Sequence, residues 1–447
     1  MRPVYESDAR PTGAPGGLEP ARERETGGGL AGRLLPEYRP LEGRRVLVGV
    51  TGGIAAYKAV EVVRRLARLG ADVHVLMTAA ATRLVGPATF RELSYNPVVT
   101  DLFEPHPGMV MTHVTLAREA DLLVVCPATA DAIGKMAAGL ADDAVTTTYL
   151  ACRAPVLVVP AMNSAMYEHP AVQDNLHRLA HRGVHVLGPA TGPLATGHEG
   201  PGRMVEPEAV VEEVRCLLHR PKDLAGRRVL VTAGPTREPL DPVRFLTNRS
   251  SGKMGWALAR MARFRGADVV LVSGPVHLEP PHGVRLIRVE TGEQMAAACL
   301  DQFAQADAVV MAAAVADYRP RSPAPTKLKK EALGTEGHLS VVLEPTPDIL
   351  QMLSQRRRPG QVLVGFAAET QELEAFARRK LEQKGVDLIV ANDVTRPGAG
   401  FEADTNAALL LGADGSREDV PLVPKEVLAE RILEWVARRL ETPAGRP

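Results

Sequence analysis

The stretch Gly234-Pro235-Thr236-Arg237-Glu238-Pro239-Leu240-Asp241-Pro242-Val243-Arg244-Phe245-Leu246-Thr247-Asn248-Arg249-Ser250-Ser251-Gly252-Lys253-Met254-Gly255 decides how the chain is read. Before it, Arg228 to Ala233 is a short β-branched run of the kind that makes a buried parallel strand, and after it Trp256 to Arg265 follows a helical pattern. The segment is therefore a strand-to-helix connection, far longer than the roughly two to six residues usual for one. Its end, Asn248-Arg-Ser-Ser-Gly-Lys253, offers backbone N–H groups, hydroxyls and cations to an anion. A lone Ser-Ser-Gly would read equally as an N-cap and a turn, but the length of the loop and its Gly-Pro-Thr-Arg lead-in favour a phosphate-gripping loop. It is not a Walker A loop, because Thr247 and Met254 stand where that motif needs Gly and Ser or Thr.

The 447 residues predict two or three domains, and 45% hydrophobic with 24% charged residues is ordinary soluble globular material. A formal net charge of zero leaves no basic footprint for nucleic acid and no polybasic membrane patch. No apolar run approaches the roughly 20 residues of a spanning helix. Cys126, Cys152, Cys216 and Cys299 are widely spaced, which argues for a reducing, cytoplasmic setting and against a structural zinc. Residues 1–40, rich in Gly, Pro, Arg and Glu, read as a disordered extension; Glu6, Asp8, Glu19, Glu23 and Glu25 and the lack of an apolar segment argue against a transit peptide.

Outward from the central stretch, the pattern repeats. Arg45 to Val50 is a strand, Thr51-Gly52-Gly53 a turn, Val60 to Leu69 an amphipathic helix ended by Gly70, and Asp72 to Met77 the next strand. Gly49-x-x-Gly52-Gly53 is not the dinucleotide fingerprint, and a glycine turn here is structural as readily as ligand-binding. Strands at Leu122 to Cys126 and Val156 to Val159 run into Pro127-Ala128-Thr129-Ala130-Asp131 and Pro160-Ala161-Met162-Asn163, at the strand ends where such sheets collect ligands. A Gly-rich segment (191–203), a helix over 208–218 and a linker over 219–223 follow. Then Leu41-Glu-Gly-Arg-Arg-Val-Leu-Val48 is echoed by Leu224-Ala-Gly-Arg-Arg-Val-Leu-Val231, Gly70-Ala-Asp-Val73 by Gly266-Ala-Asp-Val269, and Asp121–Asp131 by Asp307–Asp317. The predicted fold is α/β: two tandem doubly wound, mostly parallel-sheet domains, flavodoxin-like or Rossmann-like with helices on both faces, over 41–218 and 224–442.

From Gly43 to Gly70 is 27 residues and from Gly226 to Gly266 is 40, so the second copy carries a surplus of 13, which falls in Pro235 to Asn248. Ala308 to Ala314 predicts a strand whose small residues would let a flat ligand lie against the backbone before Asp317-Tyr318. Lys327, Lys329 and Lys330 lie in an exposed Pro-rich hairpin or flap; by spacing alone such a cluster is a solvated surface. Strands at 363–366, 388–392 and 407–411 and a helix over 427–440 complete the chain.

Gly-Gly-Ile-Ala-Ala-Tyr-Lys58, Pro-Ala-Met-Asn163, Gly-Pro-Gly-Arg-Met204, Ala-Gly-Pro-Thr-Arg-Glu-Pro-Leu-Asp-Pro-Val-Arg244, Ser-Ser-Gly-Lys-Met-Gly255, Ala-Ala-Val-Ala-Asp-Tyr318 and Ala-Asn-Asp-Val394 occur together in this order. From Leu41 to the last helix the chain thus resembles the bifunctional phosphopantothenoylcysteine decarboxylase / phosphopantothenate–cysteine ligase of bacterial coenzyme A biosynthesis. The resemblance implies that the first domain is an FMN-dependent decarboxylase, with Gly52, Gly53, Thr78, Ala128 and Thr129 lining the flavin, His113 the active-site histidine and Asn163 holding the substrate carboxylate. Oxidation of the thiol carbon to a thioaldehyde would supply the electron sink that an ordinary cysteinyl carboxylate lacks, and reduction and protonation of the enethiol left by loss of CO₂ would give 4′-phosphopantetheine. For the second domain it implies CTP-dependent ligation through an acyl-cytidylate. Lys327 matches the phosphate lysine and Asn248 the residue handling the acyl intermediate. Met311, Ala312, Ala313, Asp317, Pro347, Asp348, Ile349, Leu350, Phe366, Lys380 and Lys384 match the CTP contacts, beside Ser250 and Ser251 of the anion loop. Mg²⁺ is expected with the triphosphate, its ligands unassigned. The implied partners are phosphopantothenate, L-cysteine and CTP, with no nucleic acid or membrane, in a homo-oligomer of trimeric decarboxylase and dimeric ligase units.

One position departs from the family pattern: Thr196 stands where the proton-donor cysteine is usual, and a hydroxyl is a far poorer acid than a thiol. Either His198 or a bound water takes over protonation, or the first half stops at the enethiol and the chain is an active ligase with a flavin-binding scaffold. A nicotinamide oxidoreductase is disfavoured by the absence of the dinucleotide fingerprint. His169 and the Met162/Met166 pair read as helix-start and core-packing residues.

Overall fold

The computed structural model describes residues 38–103, 112–193, 197, 199–329, 339–369, 373–393, 398–400 and 402–441. The expectation for residues 1–37 therefore lies outside the described residues. Of the last residues of the expected extension, Tyr38 is part-buried against Glu426, and burial, reinforced by that carboxylate, pushes its phenol up to about 12.

The first half is built on strands β1 (Arg45–Val50), β2 (Asp72–Met77), β3 (Leu122–Ala128), β4 (Val156–Pro160) and β5 (His185–Val186). Its helices are α1 (Ala56–Arg68), α2 (Ala79–Thr82), α3 (Pro87–Ser94), α4 (Thr112–Glu119), α5 (Ala130–Ala138), α6 (Ala144–Ala151), α7 (Ser164–Tyr167), α8 (Pro170–His181) and α9 (Pro207–Leu218). The strands pair in parallel in the order β2-β1-β3-β4-β5, the flavodoxin-like order. Because both faces are covered, every second residue of β1 must be apolar on each side. Val46, Val48 and Val50 accordingly pack with α1 and α9, while Leu47 packs against the opposite layer with Leu116 and Val145. The Gly-rich segment is an antiparallel ribbon, β6 (Ala190–Pro193) with β7 (Glu199–Arg203).

The second half comprises β8 (Arg228–Ala233), β9 (Arg237–Pro239), β10 (Phe245–Thr247), α10 (Lys253–Phe264), β11 (Asp268–Ser273), β12 (Arg285–Arg288), α11 (Gly292–Phe303), β13 (Ala308–Met311), β14 (Tyr318–Pro320), β15 (Leu343–Pro345), α12 (Ile349–Arg356), β16 (Val362–Glu369), α13 (Leu373–Lys384), β17 (Leu388–Asp393), β18 (Thr405–Gly412), β19 (Arg417–Pro424) and α14 (Lys425–Glu441). Its large sheet runs β12-β11-β8-β13-β16-β17-β18-β19, parallel as far as β17 and antiparallel beyond. Counted along the parallel part, this is the Rossmann order, with two antiparallel strands added at one edge. Val229 and Val231 of β8 join one apolar layer and Leu230 the other.

Three expectations are corrected. The strand predicted to reach Ala314 ends at Met311, because the Ala313 N–H turns to the Thr232 hydroxyl at 3.1 Å. The helix predicted from Trp256 begins at Lys253, its N-cap being Gly252 in the left-handed region (φ 77°) and not a serine. Met166, read as core, is 49% exposed, since α7 is a single turn that leaves it facing outward.

A polar seam joins α9 to the second half. Arg215 pairs with Glu426 (2.7 Å), which also accepts from Arg260 (3.1 Å). Arg263 pairs with Glu213, beside His282 at 3.4 Å. The residues read as a linker are themselves anchored: the Lys222 ammonium donates to the carbonyls of Cys216 and Phe264, both at 2.6 Å.

Candidate active site

The carboxyl ends of β8, β13 and β16 frame a cavity of about 570 Å³. It forms where the strand order reverses, between β8 and β13, the usual ligand position of such sheets. One wall is the start of α10. Gly255 lies so close to β8 that a Cβ there would sit 2.4 Å from that of Ala233, so only glycine brings the helix end this near. No side chain caps that end, and its partial positive charge faces the cavity.

The opposite wall is the segment 311–317, laced to the long loop. Ala314 N–H donates to Gly234 (2.9 Å), Ala316 N–H to the Thr236 hydroxyl (3.0 Å), and the Asn248 amide to the carbonyls of Ala314 (3.0 Å) and Val315 (3.2 Å). The surplus residues of that loop form the β9–β10 hairpin and not an irregular coil. Phe366, Lys380, Lys384 and the turn Pro347-Asp348-Ile349-Leu350 close the far side. Lys380 is steadied by the Phe366 carbonyl (2.8 Å) and Lys384 by Asp348.

Asn248, Ser250, Ser251, Met311, Ala312, Ala313, Asp317, Pro347, Asp348, Ile349, Leu350, Phe366, Lys380 and Lys384 all line this one cavity. Lys327 does not; it stands on the strap rising from the paired strands β14 and β15. Lys253, read with the anion loop, lines the cavity too, whereas sequence reasoning missed Asn392, Asn406 and Lys425. Asn392 lay in a quoted motif without a role, and its Oδ1 is buried with no hydrogen-bond partner among the described residues. Lys425 is 5% exposed and donates to the carbonyls of Gly400 (3.0 Å), Ala403 (2.5 Å) and Thr405 (3.1 Å). Burial, with the like charge of Lys253 adding to it, brings its ammonium down to about 8. Lys253 itself pairs with Asp404 at 2.6 Å. The lining thus carries the cations Lys253, Lys380, Lys384 and Lys425 against the acids Asp317 and Asp348, a balance suited to a polyanion.

In the first half, Gly52, Gly53, Thr78, Ala128 and Thr129 gather at the carboxyl ends of β1, β2 and β3. The Thr51 hydroxyl ties two of these ends together, donating to the Pro127 carbonyl (2.7 Å) and accepting from Thr129 N–H (3.0 Å). A Cβ on Gly52 would lie 2.4 Å from that of Ala80, so the turn is pressed tightly against the start of α2. Asn163 caps α7 through Ala165 N–H (2.9 Å), and the ribbon folds back onto its loop through Met162 N–H to Gly202 (2.9 Å). His113 sits in the first turn of α4 with Nδ1 buried and unpartnered among the described residues. Thr196 and His198 lie outside the described residues. His169 caps α8, accepting from Ala171 N–H at 3.2 Å.

All four cysteines are free thiols. No described helix is long and apolar enough to cross a membrane.

Residues 34–219 match the Flavoprotein family and residues 224–440 the family described as DNA/pantothenate metabolism flavoprotein C-terminal domain. Relatives that carry the name coenzyme A biosynthesis bifunctional protein CoaBC include three from different bacteria. That of Mycobacterium bovis is 47% identical, covering 88% of this chain and 96% of its own length. That of Bacillus subtilis is 46% identical over 89% and 97%, and that of Vibrio cholerae 45% over 90% and 99%. With both halves matched end to end, the chain belongs to the bifunctional phosphopantothenoylcysteine decarboxylase / phosphopantothenate–cysteine ligase family of coenzyme A biosynthesis.

Proposed function

We propose that the second half joins cysteine to 4′-phosphopantothenate at the expense of CTP and that the first half, with FMN, decarboxylates the product to 4′-phosphopantetheine. The observation that carries the reading is the convergence of the residues expected to hold CTP on one cavity with a surplus of lysines. The two family matches, over 34–219 and 224–440, support a division at residues 219–223.

In the ligase half the substrate carboxylate attacks the α-phosphate of CTP, pyrophosphate leaves, and cysteine's amine displaces CMP from the acyl-cytidylate. The open end of α10 with Ser250, Ser251 and Lys253 would take phosphate oxygens. Lys380 and Lys384 would neutralise charge where the leaving pyrophosphate gathers it. Asn248, whose amide donates to two carbonyls on the opposite wall, would turn one of these N–H groups to the acyl oxygen as the intermediate forms. Lys327 would supply a further cation from its strap. Among the described residues no cluster of three or more acidic, histidine or cysteine side chains could hold a metal alone, so Mg²⁺ would enter on the triphosphate.

The residues of the first half fit a flavin: a glycine turn pressed on neighbouring backbone, threonines at three strand ends and an unpartnered buried imidazole nitrogen. When bound, the flavin supplies the two-electron exchange that makes loss of CO₂ possible. Asn163 would hold the departing carboxylate and His113 would orient the substrate thiol end. Ile54 and Tyr57, beside the glycine turn, are 70% and 62% exposed, which supports a site covered by another copy in the expected trimeric unit.

Purified protein given phosphopantothenate, cysteine, CTP and Mg²⁺ tests both halves, with products followed by mass spectrometry and the flavin spectrum alongside. Accumulated 4′-phosphopantetheine supports the whole reading. A halt at phosphopantothenoylcysteine or its enethiol confines it to an active ligase, with Thr196 the reason. Full pantetheine output from His198→Ala would remove that histidine as the proton donor.

A further inference from the structure

Asp241 is the most heavily engaged carboxylate outside the cavity. Its side chain is fully buried at the tip of the β9–β10 hairpin. One oxygen accepts the N–H groups of Val243 and Arg244, both at 2.8 Å, which closes the turn. The other accepts Arg244 Nε (3.0 Å) and Nη2 (2.6 Å), and also Leu328 N–H (3.1 Å), from a segment 87 residues further along the chain. Arg244, so held, donates Nη2 to the Leu328 carbonyl at 2.7 Å. Asp241 and Arg244 therefore grip Leu328 by both its N–H and its C=O. A third bond, Ala324 N–H to the Leu240 carbonyl (2.9 Å), fastens the strap four residues earlier. Between the two attachments stands Lys327. Its ammonium makes no hydrogen bond or ion pair with any described residue, and the strap that carries it is held on either side by these backbone attachments.

We propose that Asp241, acting through Arg244, is a positioning residue that fixes Lys327 for the ligation step by clamping the strap that carries it. A turn cap alone would not need the second oxygen, which is devoted to the guanidinium and to Leu328. The hydrogen bonds from Arg244, with those from the Val243 and Leu328 amides, outweigh burial and hold the carboxyl far below the usual range, so the clamp stays ionised at every working pH. The long loop and the Lys327 strap, both singled out in the sequence, are thereby one device. Its hairpin tip sets the cation, and its other end presents Asn248 and the anion loop to the cavity.

This inference rests on the reading of Lys327 as a phosphate-neutralising residue, and the test separates the two. The full-length chain is prepared as Asp241→Asn, Lys327→Ala and the double variant, and CTP-dependent ligation is measured as kcat and KM for CTP. Decarboxylation of supplied phosphopantothenoylcysteine by the same preparations, with thermal melts, reports folding. Asp241→Asn keeps the shape but turns a donor toward donors, and a cation displaced by about 1 Å lowers ligation kcat roughly 10- to 100-fold. In the Lys327→Ala background the same change should have no further effect, because the clamp has nothing left to place. Arg244→Ala removes the guanidinium that joins Asp241 to the Leu328 carbonyl while leaving Lys327 and its backbone unaltered in sequence, and should reproduce the loss if Asp241→Asn proves unstable. Losses that multiply in the double variant, or full ligation by Asp241→Asn beside a dead Lys327→Ala, overturn the inference and leave the reading of Lys327 intact. Full ligation by Lys327→Ala overturns both.

Discussion

At the amino ends of their strands, the β1 and β8 units are near copies. Asp121 accepts the Arg45 N–H at 2.8 Å and Asp307 the Arg228 N–H at 2.8 Å. Arg45 pairs with Asp72 at 2.8 Å and Arg228 with Asp268 at 2.7 Å. Leu41 N–H reaches the Leu69 carbonyl as Leu224 N–H reaches that of Arg265. At the carboxyl ends the two units part company. After β1 a tight glycine turn enters α1, whereas after β8 a hairpin, an anion loop and a docked strap intervene before α10 can matter to a ligand. The same strand, helix and polar fasteners thus serve two chemistries, because what fixes the βαβ unit sits at one end and what meets a ligand at the other.

The contrast can be broken one end at a time. Gly255→Val would drive a side chain into Ala233 and push α10 off β8. Ligation should fall roughly 100-fold or more, while decarboxylation of supplied phosphopantothenoylcysteine stays within about twofold. Equal loss of both activities would mean that the carboxyl ends are not independent. The mirror change, Gly52→Val against Ala80, should strip most of the visible flavin absorbance from the purified protein and leave ligation unchanged; retained flavin would move the cofactor away from that turn.

The seam sharpens the comparison by coupling the two units. Glu426 is largely buried between Arg215 and Arg260, so Glu426→Ala leaves two cations facing each other. A loss of about 3 kcal/mol is expected, read as a lower urea midpoint, with separate unfolding transitions for the halves where the parent shows one. A parent-like single transition would show the apolar contacts to suffice.

The smallest effect concerns Glu213. Burial alone would raise its carboxyl, but His282 and Arg263 together bring it down to about 2, from an unperturbed 4.5. A folded-state value below the unfolded one adds stability that is fully present above about pH 5 and fades as pH falls toward 2. Glu213→Gln should therefore cost about 1 to 2 kcal/mol at pH 7, and the gap should narrow between pH 5 and pH 3. A gap that stays constant with pH would assign the loss to packing.

Much of this architecture was legible in the residues. Arg45–Val50, Asp72–Met77 and Arg228–Ala233 stand as strands to the residue, since a short aliphatic, Val-rich run with a charged first residue and a glycine or threonine turn close by has few other outcomes. The cavity's near wall was legible too, because loop length and composition are local signals. The strand reaching only to Met311 was not: what ends it is a hydroxyl on β8, a partner 81 residues away that no local pattern announces. Lys425 and Asn406 were hidden for the same reason. They lie just before the helix predicted over 427–440 and the strand predicted over 407–411, and only the antiparallel strands β18 and β19 carry them back to the cavity. Asp241 lay in the long loop with no role of its own, and its second oxygen has meaning only beside Leu328.

The seam also bears on what the peptide bond between the halves is for. Arg265, 2% exposed, holds both Asp223 and Glu430, and Lys222 is pinned by two carbonyls, so the connecting residues add a short tether to surfaces that already interlock. A single break at residues 219–223 would sever the polypeptide without separating its parts. Each copy would then consist of two polypeptides held together by largely buried ion pairs, which salt screens little.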